Sequence, residues 1–217
     1  MAKNEVVDIV FLIDATGDMR NCIEAVKNNI QTLFRDLIND PESPVGDWRA
    51  KVVGYRDYEM DGMDWLVDNP FVRHYEDLER QFAALKAQGG GDLPEDLLDA
   101  LYLLATMEST ERQDKEDPNK WRNIHDAARI VYIFTEAPFH DKLHIPGVEG
   151  KDIEIVQEKC MSNRLILSIF APEEDEFYDL AVIRYASFTP ISNDDSLESI
   201  TKDKHSFFEP LRLLVRD

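Results

Sequence analysis

The chain opens on a nearly unbroken apolar run, Val6–Ile13, interrupted only by Asp8. A run rich in β-branched and aromatic residues, without polar alternation, predicts a strand buried on both faces, as in a parallel sheet. The polar stretch Asp14–Asp18 closes it. Ile23, Val26, Ile30, Leu33, Phe34 and Leu37 then recur at three- and four-residue spacing and predict an amphipathic helix ending before Pro41. Arg49–Tyr55 and Trp65–His74 read as two strands joined as a hairpin through the turn-rich Glu59-Met60-Asp61-Gly62, and Pro70 confines the second to a sheet edge. Tyr75–Gln88 carries Leu78, Phe82 and Leu85 at helical spacing, Gly89-Gly90-Gly91 stops it, and another helix begins near Pro94.

Ser109–Asn123 is charged and poor in apolar residues, which predicts a solvated connection. Arg129–Thr135 has the strongest character of a central strand. A helix over Glu149–Asn163, a strand over Arg164–Ala171, a helix over Glu173–Tyr185, a short strand over Ser187–Ile191 and a closing helix over Ser206–Val215 complete the alternation. The pattern predicts a doubly wound α/β fold: a mostly parallel sheet with helices on both faces, right-handed crossovers and one antiparallel edge strand. In such sheets ligands gather at the carboxyl ends of the strands, and Asp14 and Glu136 both lie just past one.

Composition narrows the picture. A chain of 217 residues supports one sizeable core, so a single domain over 1–217 is expected. No apolar run approaches the roughly 20 residues of a membrane span, and the N-terminus lacks a small-residue cleavage site, which together predict a cytoplasmic protein. Two cysteines, Cys22 and Cys160, do not form a disulfide framework and are expected to be reduced. A net charge of −20 argues against nucleic acid or an anionic membrane as the main partner, because phosphates require Lys/Arg clusters. Cations or basic partners fit better, although acidity also serves solubility.

The candidate chemistry is acidic. Asp14, Thr16 and Asp18 alternate along one short loop, so an extended backbone turns all three toward a common point. Carboxylate and hydroxyl oxygens at that spacing suit Mg²⁺, with Mn²⁺ as a substitute, whereas Ca²⁺ demands more protein ligands. Helix capping by Thr16 or Asp18 accounts for the same residues. Gly91-Asp92 and Thr135-Glu136 bring further oxygen donors to the same region. His140 and His144 stand four apart, but Pro138 and Pro146 make their segment a loop, which argues against zinc there and leaves His140 a loop-fixing role. Asp57 is either an acceptor behind the metal loop or a partner of Arg56 or another nearby base. The triple glycine lacks the Lys and Ser/Thr of a phosphate loop, neither cysteine has a motif histidine, and no hydrolase elbow or kinase signature is present.

The run Val-Asp-Ile-Val-Phe-Leu-Ile-Asp14-Ala-Thr16-Gly-Asp18-Met resembles the first metal-site loop of von Willebrand factor A domains, in which Asp-x-Ser/Thr-x-Ser follows the first strand. Gly54-Tyr-Arg-Asp57-Tyr, Gly89-Gly-Gly-Asp92-Leu-Pro94-Glu95-Asp and Thr135-Glu136-Ala-Pro138-Phe-His140 resemble, in order, blocks of the intracellular branch of that family, including domains found beside alpha-type kinases. The resemblance has motif support from Val6 to His144. It implies the Rossmann-like fold of the family and a metal-ion-dependent adhesion site (MIDAS) with Asp14, Thr16, Asp18, Asp92 and Glu136 as ligands. Asp18 stands where Ser is usual, Asp92 where other branches have Thr, and Glu136 where Asp is expected. The implied role is a non-enzymatic, metal-dependent protein–protein interaction module, a scaffold or adaptor, with an AAA-type ATPase or a kinase as partner. Four carboxylates would neutralise a dication and weaken its pull on an acidic ligand, so the metal is structural or the partner offers a neutral or basic group. The rival readings are a Mg²⁺-dependent phosphohydrolase, for which the loops offer few basic groups, and a structural module with a vestigial site.

Overall fold

The computed structural model describes residues 5–20, 23–24, 26–27, 34–35, 43–90, 93–112 and 114–191, the side chain of residue 18 excepted. The apolar run forms β1 (Glu5–Asp14), followed by a 3-10 turn, Gly17–Met19. Residues 23–24, 26–27 and 34–35 are helical, in accord with the predicted amphipathic helix. Then come β2 (Val45–Tyr55), α1 (Tyr58–Asp61), β3 (Leu66–Asp68), α2 (Tyr75–Ala84), α3 (Leu97–Thr106), β4 (Ala128–Phe134), α4 (Ile153–Ser162), β5 (Leu165–Pro172), α5 (Asp175–Leu180) and β6 (Ala186–Ile191). The predicted closing helix Ser206–Val215 lies outside the described residues, as does Cys22. Among the described residues no helix is long and apolar enough to cross a membrane.

Six strands form one sheet in the order β3-β2-β1-β4-β5-β6, parallel except for β3, which pairs antiparallel with β2 at the edge. The predicted α/β class and its antiparallel edge strand are both present. Because strand side chains alternate, β1 feeds two cores. Val7, Ile9, Phe11 and Ile13 meet Leu78 and Phe82 of α2 together with Ile23, Val26 and Phe34. Val10 and Leu12 meet α3, α4 and α5 through Leu97, Leu101, Val156, Cys160 and Phe177. Phe11 stacks on Tyr132 of β4 with ring centroids 5.6 Å apart, tying the two central strands on the first face. Burial in the second core pushes the Cys160 thiol up to about 12, so it stays protonated and unreactive.

Three expectations need correction. The hairpin turn over Glu59–Gly62 is helical: α1 is capped by the Asp57 carboxylate, which accepts from Met60 N–H at 2.8 Å. The second hairpin strand spans three residues rather than ten, because Pro70 has no N–H to continue the ladder; only an isolated bridge, Ala50–Val72, follows. The third concerns the charged segment before β4, which is not simply solvated: Trp121 is wholly buried and donates from its indole N–H to the Leu104 carbonyl at 2.9 Å.

That segment is anchored by the polar interruption of β1. Asp8 is fully buried and flanked in register by Arg49 of β2 and Arg129 of β4. Its Oδ1 accepts from Arg49 Nε (2.9 Å) and Arg122 Nε (2.7 Å), and its Oδ2 from Arg49 Nη2 (2.7 Å) and the Arg122 backbone N–H (2.8 Å). Arg122 also donates to the Val7 carbonyl and Arg49 to those of Asp117 and Lys120, so one carboxylate gathers the segment against the start of the sheet. Asp8→Asn leaves the Arg49 guanidinium buried without a counter-charge and Arg122 with only Asp47 and Glu116, and is expected to cost about 3–5 kcal/mol. Urea unfolding of the variant measures this; a loss below about 1 kcal/mol, the range of an exposed pair, would show that the cluster is not a clamp.

Candidate metal centre

Parallel pairing brings the carboxyl ends of β1, β2, β4 and β5 to one edge of the sheet. The chain leaves β1 toward β2 yet later adds β4 on the opposite side, so a crevice opens beyond the β1–β4 boundary. Asp14, the last residue of β1, is fully buried there. Its loop is tied on both sides: Ala15 N–H donates to the Tyr55 carbonyl (2.8 Å), Gln88 N–H to that of Ala15 (3.0 Å) and Gly17 N–H to that of Gly89 (3.1 Å). Gly90 has a φ of +68°, and a Cβ on it would meet the Thr16 side chain at 3.0 Å, so glycine lets the two loops close on one another.

Asp14 Oδ1 accepts from the Thr16 backbone N–H (2.9 Å) and hydroxyl (2.8 Å), and Oδ2 from the Thr135 hydroxyl (3.1 Å). Burial pushes the Asp14 carboxyl above the usual range, while these bonds and the charge of Arg56 pull the other way. Arg56 makes no contact that would neutralise it, since its guanidinium donates to the carbonyls of Ala15, Gln88, Asp64 and Lys86.

More carboxylates crowd the same edge. Glu95 is buried, its Oε2 has no hydrogen-bond partner, and burial together with Asp14, Asp57, Asp96 and Asp61 pushes it up to about 8. Glu136 is exposed as a residue, yet partial burial of its carboxyl and the charge of Asp14 raise it as well. The Asp14 carboxylate, the Thr16 and Thr135 hydroxyls bonded to it and the unpartnered Glu95 Oε2 are oxygen donors of the type that a hard dication takes, with Asp14 Oδ1 already accepting two hydrogen bonds and Thr135 Oγ1 also bonded to the Ala137 backbone.

Of the predicted ligands, Asp14 and Thr16 are joined directly, and Glu136 stands within the field of Asp14. The side chain of Asp18 and all of Asp92 lie outside the described residues. Two groups at this edge stand outside the predicted ligand set. Thr135, already placed in the region as an oxygen donor beside Glu136, bonds Asp14 directly. Glu95 follows Pro94, and nothing in its spacing showed that its backbone would pair with the loop after β4, where Glu95 N–H meets the Pro138 carbonyl at 2.9 Å and His140 N–H the Glu95 carbonyl at 3.0 Å.

The loop between Pro138 and Pro146 is non-helical as expected, but it does not keep its histidines apart. The rings of His140 and His144 lie with centroids 4.5 Å apart beside Asp96. Asp57 is not a partner of Arg56; beyond capping α1, its Oδ2 lies 3.7 Å from His140 Nε2.

No family model matches the sequence. The alpha-protein kinase vwkA of Dictyostelium discoideum is 27% identical over 137 residues, which cover 63% of this chain and 19% of the kinase. Among solved structures, proximal thread matrix protein 1 of the mussel byssus superposes with a TM-score of 0.55 at 14% identity, over 94% of this chain and 46% of its own. The pilus adhesin SpaC of Lactobacillus rhamnosus GG does so with a TM-score of 0.60 at 10% identity, over 98% of this chain and 31% of its own. The chain thus spans about a fifth of the kinase and less than half of either structural neighbour. At such identities the structural likeness shows the fold alone: an α/β protein built on a mostly parallel six-stranded sheet.

The raised Glu95 carboxyl has a consequence for stability. Its folded pKa of about 8 exceeds the ordinary 4.5, so the folded chain holds a proton that the unfolded chain has released, and stability falls as pH rises from 4.5 to 8. Glu95→Gln in metal-free protein is therefore expected to be neutral near the low end of that window and stabilising by about 2–4 kcal/mol at its high end. Thermal unfolding across the window checks this, and equal effects at both ends would refute it.

Proposed function

We propose that the chain is a non-enzymatic, metal-dependent protein-interaction module of the von Willebrand A type, working in the cytoplasm as a scaffold or adaptor. The observation that carries the reading is the buried Asp14 at the end of β1, bonded to the Thr16 and Thr135 hydroxyls, with Glu95 and Glu136 beside it. Mg²⁺ is the proposed ion, Mn²⁺ the substitute and Ca²⁺ the poorer fit, with Asp14, Thr16, Asp18, Asp92 and Glu136 as the candidate ligands and Thr135 and Glu95 supporting them from the same edge. The ion would supply a positive centre at the sheet edge that offsets part of the charge of these acids and accepts one oxygen from a partner.

The acidity of the cluster sets what that partner offers. With Glu95 and Glu136 next to Asp14, an incoming carboxylate meets repulsion that a neutral carbonyl or a basic group does not. A kinase and an AAA-type ATPase are the partners expected from the family resemblance. Among the described residues the phosphohydrolase reading finds no free cation at Asp14, since Arg56 is engaged by four backbone carbonyls.

Calorimetric titration of Mg²⁺, Mn²⁺ and Ca²⁺ into wild type and Asp14→Ala, paired with affinity capture from native lysate with and without EDTA, tests the module. Mg²⁺ at about 100 times its Kd is expected to stabilise the wild type by about 2.7 kcal/mol and the variant not at all. Capture should fail in EDTA. Capture indifferent to EDTA would sink the interaction reading, and turnover of a phosphate ester lost in Asp14→Ala would replace it with the phosphohydrolase.

A further inference from the structure

A second cluster of metal-ligand type lies beside the Asp14 site, at the start of α3. One ligand atom each from Asp96, His140 and His144 lies within 4.8 Å of the others. Asp96 Oδ1, His140 Nε2 and His144 Nδ1 are all buried, and none has a hydrogen-bond partner. Asp96 Oδ1 and His144 Nδ1 lie 2.8 Å apart, an ion-pair distance if the imidazole is protonated and close enough for both to reach one cation if it is not. Atoms of this kind, converging and unpaired, are what a bound cation satisfies.

The surrounding structure holds these groups in place. Asp96 Oδ2 accepts from Tyr58 N–H at 2.6 Å, which fixes the carboxylate and leaves Oδ1 turned to the histidines. Asp99, one helical turn further on, accepts from the backbone N–H groups of His144 (2.9 Å) and Ile145 (2.9 Å), pinning the loop over α3. His140 is pinned through its own N–H to Glu95. Both imidazoles also line a cleft of about 480 Å³, walled by Pro94, Pro138, Phe139 and Glu176, which gives an ion a path from solvent.

We propose that Asp96, His140 and His144 form a site for a borderline divalent cation of the Zn²⁺ class, separate from the oxygen-rich Asp14 site. Two imidazole nitrogens and one carboxylate select zinc-like ions over Mg²⁺, and three protein ligands leave one coordination position for water from the cleft. The proposal stands without the Asp14 reading, because the two sites use different donors and different ions.

The test uses the full chain, stripped with chelator and held in excess Mg²⁺, with Zn²⁺ titrated against a chromophoric chelator. One Zn²⁺ is expected to bind to wild type and, with unchanged affinity, to Asp14→Ala. His140→Gln and His144→Gln should each weaken it by about 100-fold or more, since loss of a supporting hydrogen bond alone costs 10–100-fold. Glutamine keeps a polar side chain, and thermal unfolding in EDTA confirms that each variant folds. Co²⁺ provides the second readout: its visible ligand-field absorption should appear in wild type and vanish in His144→Gln. No Zn²⁺ binding by wild type, binding indifferent to both histidine changes, or an equal loss in Asp14→Ala would each overturn the proposal.

Discussion

Carboxylate crowding at the carboxyl edge of the sheet is the constraint on which the rest of this structure turns. Asp14, Glu95, Asp96, Asp99 and Asp57 are all buried at this edge, and burial pushes Glu95 to about 8 and Asp99 to about 6. Arg56 lies among them but bonds to carbonyls. Backbone N–H groups answer part of the charge: Thr16 supports Asp14, Tyr58 supports Asp96, and His144 and Ile145 support Asp99. The bonds to Asp96 and Asp99 also fasten one segment to another. The acids therefore organise the edge, at the cost of holding negative charge in a poorly solvated place.

The start of the sheet solves the same problem differently. Asp8 is as buried as Asp14, yet it receives four hydrogen bonds, three of them from Arg49 and Arg122 side chains, and is neutralised within the chain. A carboxylate with its counter-ions built in is structural. One without them invites a counter-ion from outside, as a proton or as a metal. That contrast, between two aspartates six residues apart on the same strand, separates the clamped end of the sheet from its reactive end.

Much of the fold was legible because local pattern and tertiary environment agreed. Val6–Ile13 and Arg129–Thr135 are apolar at nearly every position, which only strands covered on both faces require, and they became β1 and β4. Where charge stood in for burial, the pattern misled. The segment around Trp121 reads as solvated by composition, but Asp8 draws Arg122 inward and Trp121 follows. Asp14 and Thr16 were legible as a pair because two residues of loop suffice to join them. The bond of Thr135 to Asp14 and the placing of Glu95 within the field of Asp14 were not, because each depends on pairing between segments distant in sequence.

The sequence by itself determined the α/β class, the parallel order of apolar strands, the antiparallel edge and the acidic loop that closes β1, since periodicity and turn chemistry are local properties. Tertiary structure alone decided which acids lie together at the sheet edge and which of them are buried. His140 and His144 show why: the prolines that bracket them correctly excluded a helix, but helical spacing is only one way to bring two imidazoles together. A loop pinned by Asp99 and Glu95 does it equally well, through contacts distant in sequence.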